Sequence, residues 1–160
     1  MYRTIQITGE GIYKEKGSKF NGYAYPVQSV DAVKEHLDRL RKENPGCVHV
    51  CYAYCIGSRK EEYRYSDDGE PSNSAGAPIF GQIKSFDLTN VLVAVVRYYG
   101  GTNLGVGGLI NAYRTAAKEA FEKAKKLPNK QQLLKDLITQ LTARLSTVYE
   151  LPSYISTMVI

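Results

Sequence analysis

"NVLVAVVRYYGGTNLGVGGLINAYRTAAKEAFEKAKK", residues 90–126, decides the fold. Val91 to Tyr99 is almost continuously apolar, as a strand covered on both faces must be. Glycines end it. From Gly108 onward Leu109, Tyr113, Ala116, Ala117, Ala120, Phe121 and Ala124 recur on one helical stripe, so a buried strand feeds an amphipathic helix.

Working upstream, "PIFGQIKSF" (78–86) places Pro78 in a first helical turn with Ile79 and Ile83 four apart, which predicts a short helix despite Gly81. "CVHVCYAYCIG" (47–57) has β-branched and aromatic residues at period two, and "EEYRYSDDG" (61–69) reads as its hairpin partner. In "SVDAVKEHLDRLRKENPG" (29–46), Val30, Val33, Leu37 and Leu40 mark a helix that Ser29 can cap and Asn44-Pro45-Gly46 stops. The opening residues alternate apolar and polar on either side of Gly9 and Gly17, giving two strands joined by an irregular hairpin and ended by Pro26. Downstream, Leu127-Pro128-Asn129 breaks the long helix, and Leu134, Leu137, Ile138, Leu141, Leu145 and Val148 predict another over 130–148. The order β-β-α-β-β-α-β-α-α describes an α+β, two-layer sandwich with helices over one sheet face. Residues 1–126 form its domain and 127–160 a short helical carboxy-terminal appendage.

The 160 residues and 17.8 kDa suit one ordinary domain with a real core. No apolar run is long enough to cross a bilayer, and the amino terminus lacks the order of a signal peptide. A cytoplasmic location is expected, which argues against structural disulfides. The net charge is +5, of which residues 127–160 supply +1 (Lys130, Lys135 and Arg144 against Asp136 and Glu150) and the rest +4. A spread positive surplus points weakly to an anionic partner such as RNA or a nucleotide.

Two polar stretches stand out. In "YRYSDDGEPSNSAGAP" (63–78), Asp67, Asp68 and Glu70 lie within four residues, close enough for two carboxylates to share a divalent cation or a proton. Asp-Gly and Glu-Pro are equally ordinary turn formers, so a solvated or helix-capping loop is the plainer reading. In "RYYGGTNLGVGGL" (97–109), Gly100, Gly101, Gly105, Gly107 and Gly108 separate strand from helix. Backbone N–H groups there can approach an anion such as phosphate, although the pattern is neither a dinucleotide fingerprint nor a Walker loop. The same glycines could merely supply positive φ and tight packing.

Cys47, His49, Cys51 and Cys55 fall at even spacing, on one sheet face, yet positions four apart on a strand are about 13 Å apart and cannot share one ion. Small thiols under a helix fit better, and His49 stands apart as an acid or base beside the carboxylates. Thirteen tyrosines, several beside arginines as in "YRY" and "RYY", could stack bases or simply serve as strand residues.

These residues carry a resemblance. "KGSKFNGYAYPV", "HVCYAY", "YSDDGEPSNSAGAPI" and "NVLVAVVRYYGGTNLGVGGLINAY" together resemble the conserved core of the IMPACT/YigZ family over residues 12–124. Asn73-Ser74 stands where the family pattern has Gly-Thr, and Tyr99 where phenylalanine is commoner. The resemblance implies a fold similar to domain IV of elongation factor G, a βαββαβα arrangement of ribosomal-protein type shared by small-molecule kinases of the GHMP class. Bacterial members look like two-domain proteins with a ferredoxin-like second domain, which residues 127–160 do not match, being divergent, truncated or frame-shifted. Eukaryotic relatives are associated with restraining a starvation-sensing translation kinase through an additional amino-terminal domain.

Three functions follow as expectations. The favoured one is a translation-linked binding protein that contacts RNA or a ribosomal surface through Arg97, Tyr98 and the glycine turn, with the acidic loop orienting Arg97 and no cofactor. The second is a phosphoryl-transfer or hydrolytic enzyme using Mg²⁺ at Asp67, Asp68 and Glu70. The third is a protein-interaction module or homodimer, with helix 130–148 as its seam.

Overall fold

The computed structural model describes residues 2–126 and 129–149. The order is β1 (Gly9–Glu15), β2 (Ser18–Pro26), α1 (Val30–Glu43), β3 (His49–Ile56), β4 (Glu62–Ser66), α2 (Gly76–Ser85), β5 (Val91–Tyr98), α3 (Gly105–Lys126) and α4 (Asn129–Tyr149). The chain divides into two units, Met1–Lys125 and Lys126–Ile160. The expected break at Leu127-Pro128, the Val148 side chain and the end of the tail lie outside the described residues. Of the second unit, α4 forms a helix on which Leu134, Leu137, Ile138, Leu141 and Leu145 are exposed. Among the described residues no helix is long and apolar enough to cross a membrane.

In the first unit the strands form one antiparallel sheet in the order β1-β2-β5-β3-β4. From β2 onward the elements run βαββαβα, and β1 is added outside β2. Lys16 (φ 48°) and Gly17 (φ 81°) both lie at positive φ between β1 and β2. The connection is therefore a tight two-residue turn whose twist matches the strands, not the irregular hairpin expected. The strand also starts at Gly9, not in the opening residues, although Ile5 still reaches the core.

The central strand β5 sets the layers. Val91, Val93 and Val95 belong to one buried cluster with Ile79, Ile83, Tyr113 and Phe121 of α2 and α3. Leu92, Ala94 and Val96 belong to another with Val33, Leu37 and Leu40 of α1. The α+β class holds, but the helices do not keep to one face as expected. A strand apolar at every position needs cover on both sides, and α1 supplies the second. The thiols divide likewise: Cys51 and Cys55 are buried under α2 and α3, whereas Cys47 precedes β3 and packs on the α1 side. The expected single face of four even-spaced side chains therefore loses Cys47, because even spacing holds only within a strand.

Glycines bring α3 down onto the sheet. A Cβ at Gly9 would lie 2.0 Å from the Ala120 carbonyl oxygen, and one at Gly22 2.5 Å from that of Ala116. Bare backbone on β1 and β2 thus meets the alanine stripe of α3, and this fixes where its amino terminus emerges.

Candidate functional site

The register pairs His49 of β3 and Phe20 of β2 with Arg97 of β5, so Arg97 lies between two neighbours in the sheet. Its side chain is 7% exposed and that of Glu70 only 3%. The Arg97 Nη1 donates to Glu70 Oε1 at 2.5 Å, and Tyr113 of α3 donates its hydroxyl to the same oxygen at 2.7 Å. Two buried charges cost several kcal/mol each in lost solvation, so each must be met by donors or acceptors as well as by its opposite. Glu70 is met from two elements.

Arg97 is met less completely. Its Nη2 donates to Ser18 Oγ at 3.4 Å, and the rings of Phe20 and Tyr99 lie 5.3 and 5.5 Å from the guanidinium. Its Nε, buried, has no hydrogen-bond partner. This side chain lines a groove of about 490 Å³ together with His49, Glu70, Tyr99 and Gly105, bounded by Pro71, Leu104 and Val106. The amino terminus of α3 opens on the same groove, where Gly105 takes φ 74° and the first turn contains no acidic residue. Its unpaired N–H groups and the helix dipole favour negative charge there.

His49 Nδ1 lies 2.6 Å from the Asp68 carbonyl oxygen, which assigns the ring proton to Nδ1 and leaves Nε2 3.6 Å from Glu70 Oε1. Burial, and next the Cys51 thiol, push the Tyr113 hydroxyl far above its ordinary value. Burial does the same to Cys51, whose thiol donates to the Asp67 carbonyl oxygen at 3.0 Å. Tyr113 is thus a fixed donor, and Cys51 is a core thiol and not a nucleophile.

The three carboxylates diverge. Asp67 Oδ1 accepts N–H groups from Ala75 (3.1 Å) and Gly76 (2.8 Å), and Oδ2 accepts that of Asn73 (2.9 Å). It caps α2 from eight residues upstream. Asp68 Oδ2 accepts the Val50 N–H at 2.7 Å, and Oδ1 lies 3.7 Å from Arg41. Only Glu70 reaches the groove. Among the described residues no group of three or more His, Cys, Asp or Glu is placed to hold a metal ion. Asn73 takes φ 63°, a left-handed conformation that asparagine tolerates.

Of the residues singled out in the sequence, the structure gathers Arg97, Glu70, His49 and Gly105 in one groove. Tyr98 does not join them. It packs on the α1 side and donates to Asn44 Oδ1 at 2.5 Å. Tyr99 takes its place, and strand alternation from Arg97 is the signal that distinguishes the two. Gly100 is structural, since a Cβ there would lie 2.0 Å from the Gly17 carbonyl carbon. Gly101 (φ 88°) supplies a positive-φ turn, and Gly108 lies tight under Leu104. Gly107, inside the helix, has nothing within 4 Å of its Cβ position. Ser18, Tyr113 and Val106 were not foreseen, since their link to the site is purely tertiary.

Because Glu70 cancels the charge of Arg97 and the Arg97 Nε is itself buried, what the groove offers an anion is the helix terminus. That suits a single oxyanion, not a cluster of them.

Residues 16–121 match the family model of the Impact N-terminal domain. The chain is 34% identical over 120 residues to the IMPACT family member YvyE of Bacillus subtilis, covering 75% of this chain and 55% of that protein. It is 43% identical over 111 residues to an IMPACT family member from Thermus thermophilus, covering 69% and 59%. A crystal structure of a hypothetical protein superposes with a TM-score of 0.72 at 31% identity, over 75% of this chain and 59% of the other. The chain spans just over half the length of these curated relatives.

Proposed function

The chain belongs to the Impact N-terminal domain family, and from that premise we propose that it is a cytoplasmic, translation-linked regulatory protein that contacts RNA or a ribosomal surface through the Arg97 groove. The observation that carries this reading is that the amino terminus of α3, with no acidic residue in its first turn, opens on the groove lined by Arg97, whose guanidinium is held by Glu70 and Ser18. A helix terminus beside a fixed guanidinium suits a phosphate oxygen. The acidic loop serves it structurally: Asp67 and Asp68 brace the loop, and Glu70 orients the arginine. With those carboxylates engaged separately, the geometry favours binding over phosphoryl transfer.

Co-sedimentation with ribosomes, and with ribosomal RNA alone, tests the proposal. Val106→Glu is the informative variant, because Val106 is exposed in the first turn of α3 and a carboxylate there repels an anion without disturbing the core. Binding should weaken in Val106→Glu and in Tyr99→Ala. No binding at low salt, or binding indifferent to both changes, rejects the reading.

A further inference from the structure

A second groove, of about 550 Å³, is lined by Arg3, Arg114, Lys118 and Lys125 and by no carboxylate. We propose that it is a binding site for single-stranded nucleic acid, engaging successive backbone phosphates and separate from the Arg97 groove.

Three features of the groove carry the inference. Arg114, Lys118 and Lys125 are spaced four and then seven residues apart on α3, which puts all three on one helical face within about 40°. Arg3 comes from the amino-terminal segment, which the Thr89 N–H pins by donating to the Arg3 carbonyl at 2.9 Å. Among the described residues none of the four is in an ion pair. The nearby Asp87 is paired with Lys60 and also feels the charge of Arg3, and Arg114 donates to Asn111 Oδ1 at 3.1 Å. A row of cations outside any contact ion pair still costs self-repulsion, which a polyanion relieves.

The lining favours nucleic acid over other polyanions. Phe86 packs against Phe121 at 5.2 Å between centroids, is only partly buried and has Lys125 Nζ 4.6 Å from its ring centre. A ring beside a cation in a basic groove is the combination on which bases stack while phosphates are held. Ser85, Thr115 and Gln82 add uncharged hydrogen-bonding groups along the same walls. The surface is concave, with Arg3 and the α3 cations both lining it, so a flat lipid headgroup layer fits it poorly.

The site also supplies what the Arg97 groove lacks. Charge cancellation by Glu70 leaves that groove little long-range attraction, whereas four cations that form no contact ion pair among the described residues give the salt-dependent term that dominates nucleic-acid affinity.

The test is fluorescence anisotropy of the full chain with a short labelled oligouridylate over a salt series. Four phosphate contacts on a single strand give a log–log salt slope of about −2.8. The exposed double variant Arg114→Glu/Lys118→Glu should weaken binding about tenfold or more and flatten the slope by at least about 1.4. Lys118→Ala alone should lose part of that affinity, and an unchanged thermal melt in both variants certifies the fold. Val106→Glu should leave this binding intact. The proposal is overturned if wild type does not bind, if the double variant binds equally, if an RNA duplex binds more tightly, or if oligoglutamate competes as well as RNA. Loss in Val106→Glu with none in the double variant also overturns it and leaves the Arg97 reading standing; the reverse pattern supports it and removes RNA from the Arg97 groove.

Discussion

Gly107 and Gly81 are both helical glycines with open space where a Cβ would go, and neither has a positive φ. A helical glycine costs about 1 kcal/mol relative to alanine, so each substitution to alanine should stabilise the fold by up to that amount. Neither lines the Arg97 groove, so both variants should bind as wild type does. Urea melts should show both stabilised. A melt lowered in either would mean that its added methyl is not free of its surroundings. Arg97→Ala tests the opposite limit: it leaves Glu70 buried with Tyr113 as its remaining strong donor and should cost about 3–5 kcal/mol in the same melts. At this scale the sequence separates Arg97 from its neighbours by type, but not the Tyr98 and Tyr99 rings. Their difference comes from which face of β5 each occupies, and that follows once Arg97 is known to face α3.

Among the elements, α2 depends most on a residue outside itself. Ala75 precedes it without a side-chain cap, and the donors there are met by Asp67. Removing that carboxylate in Asp67→Ala orphans three backbone N–H groups, two of them at buried residues, and should cost about 2 kcal/mol or more. Hydrogen exchange should show the loss first at the start of α2; uniform protection across α2 would contradict this role. Ordinary capping is legible in sequence because cap and helix are adjacent, as with Ser29, which accepts the Ala32 N–H of α1 at 3.1 Å. Asp67 works across a loop, and Glu70 meets Arg97 and Tyr113 at separations of 27 and 43 residues. Composition and turn chemistry favour a capping loop and a partner for Arg97 over a metal site, but local patterns cannot say which carboxylate does which, and that assignment needs the tertiary contacts.

For the whole molecule, the element order was readable because each amphipathic stripe is long and each strand is bounded by turn residues. The layering was not, although β5 contained the answer: nine nearly continuous apolar positions need two covers, and α1 has a stripe to provide one. Among the described residues, both buried clusters of the first unit draw on residues from Ile5 to Ala124. A domain of this size buries enough surface to stand on its own core. A chain ending at Lys126 should therefore fold with the same circular dichroism per residue in its sheet and with a midpoint within about 4 °C of the full chain, equivalent to about 1 kcal/mol. It should also keep its oligouridylate affinity, since Arg3, Arg114, Lys118 and Lys125 all remain. If truncation unfolds the domain or lowers its midpoint by much more than this, the second unit contributes to the first one's stability and the two cores are not self-sufficient.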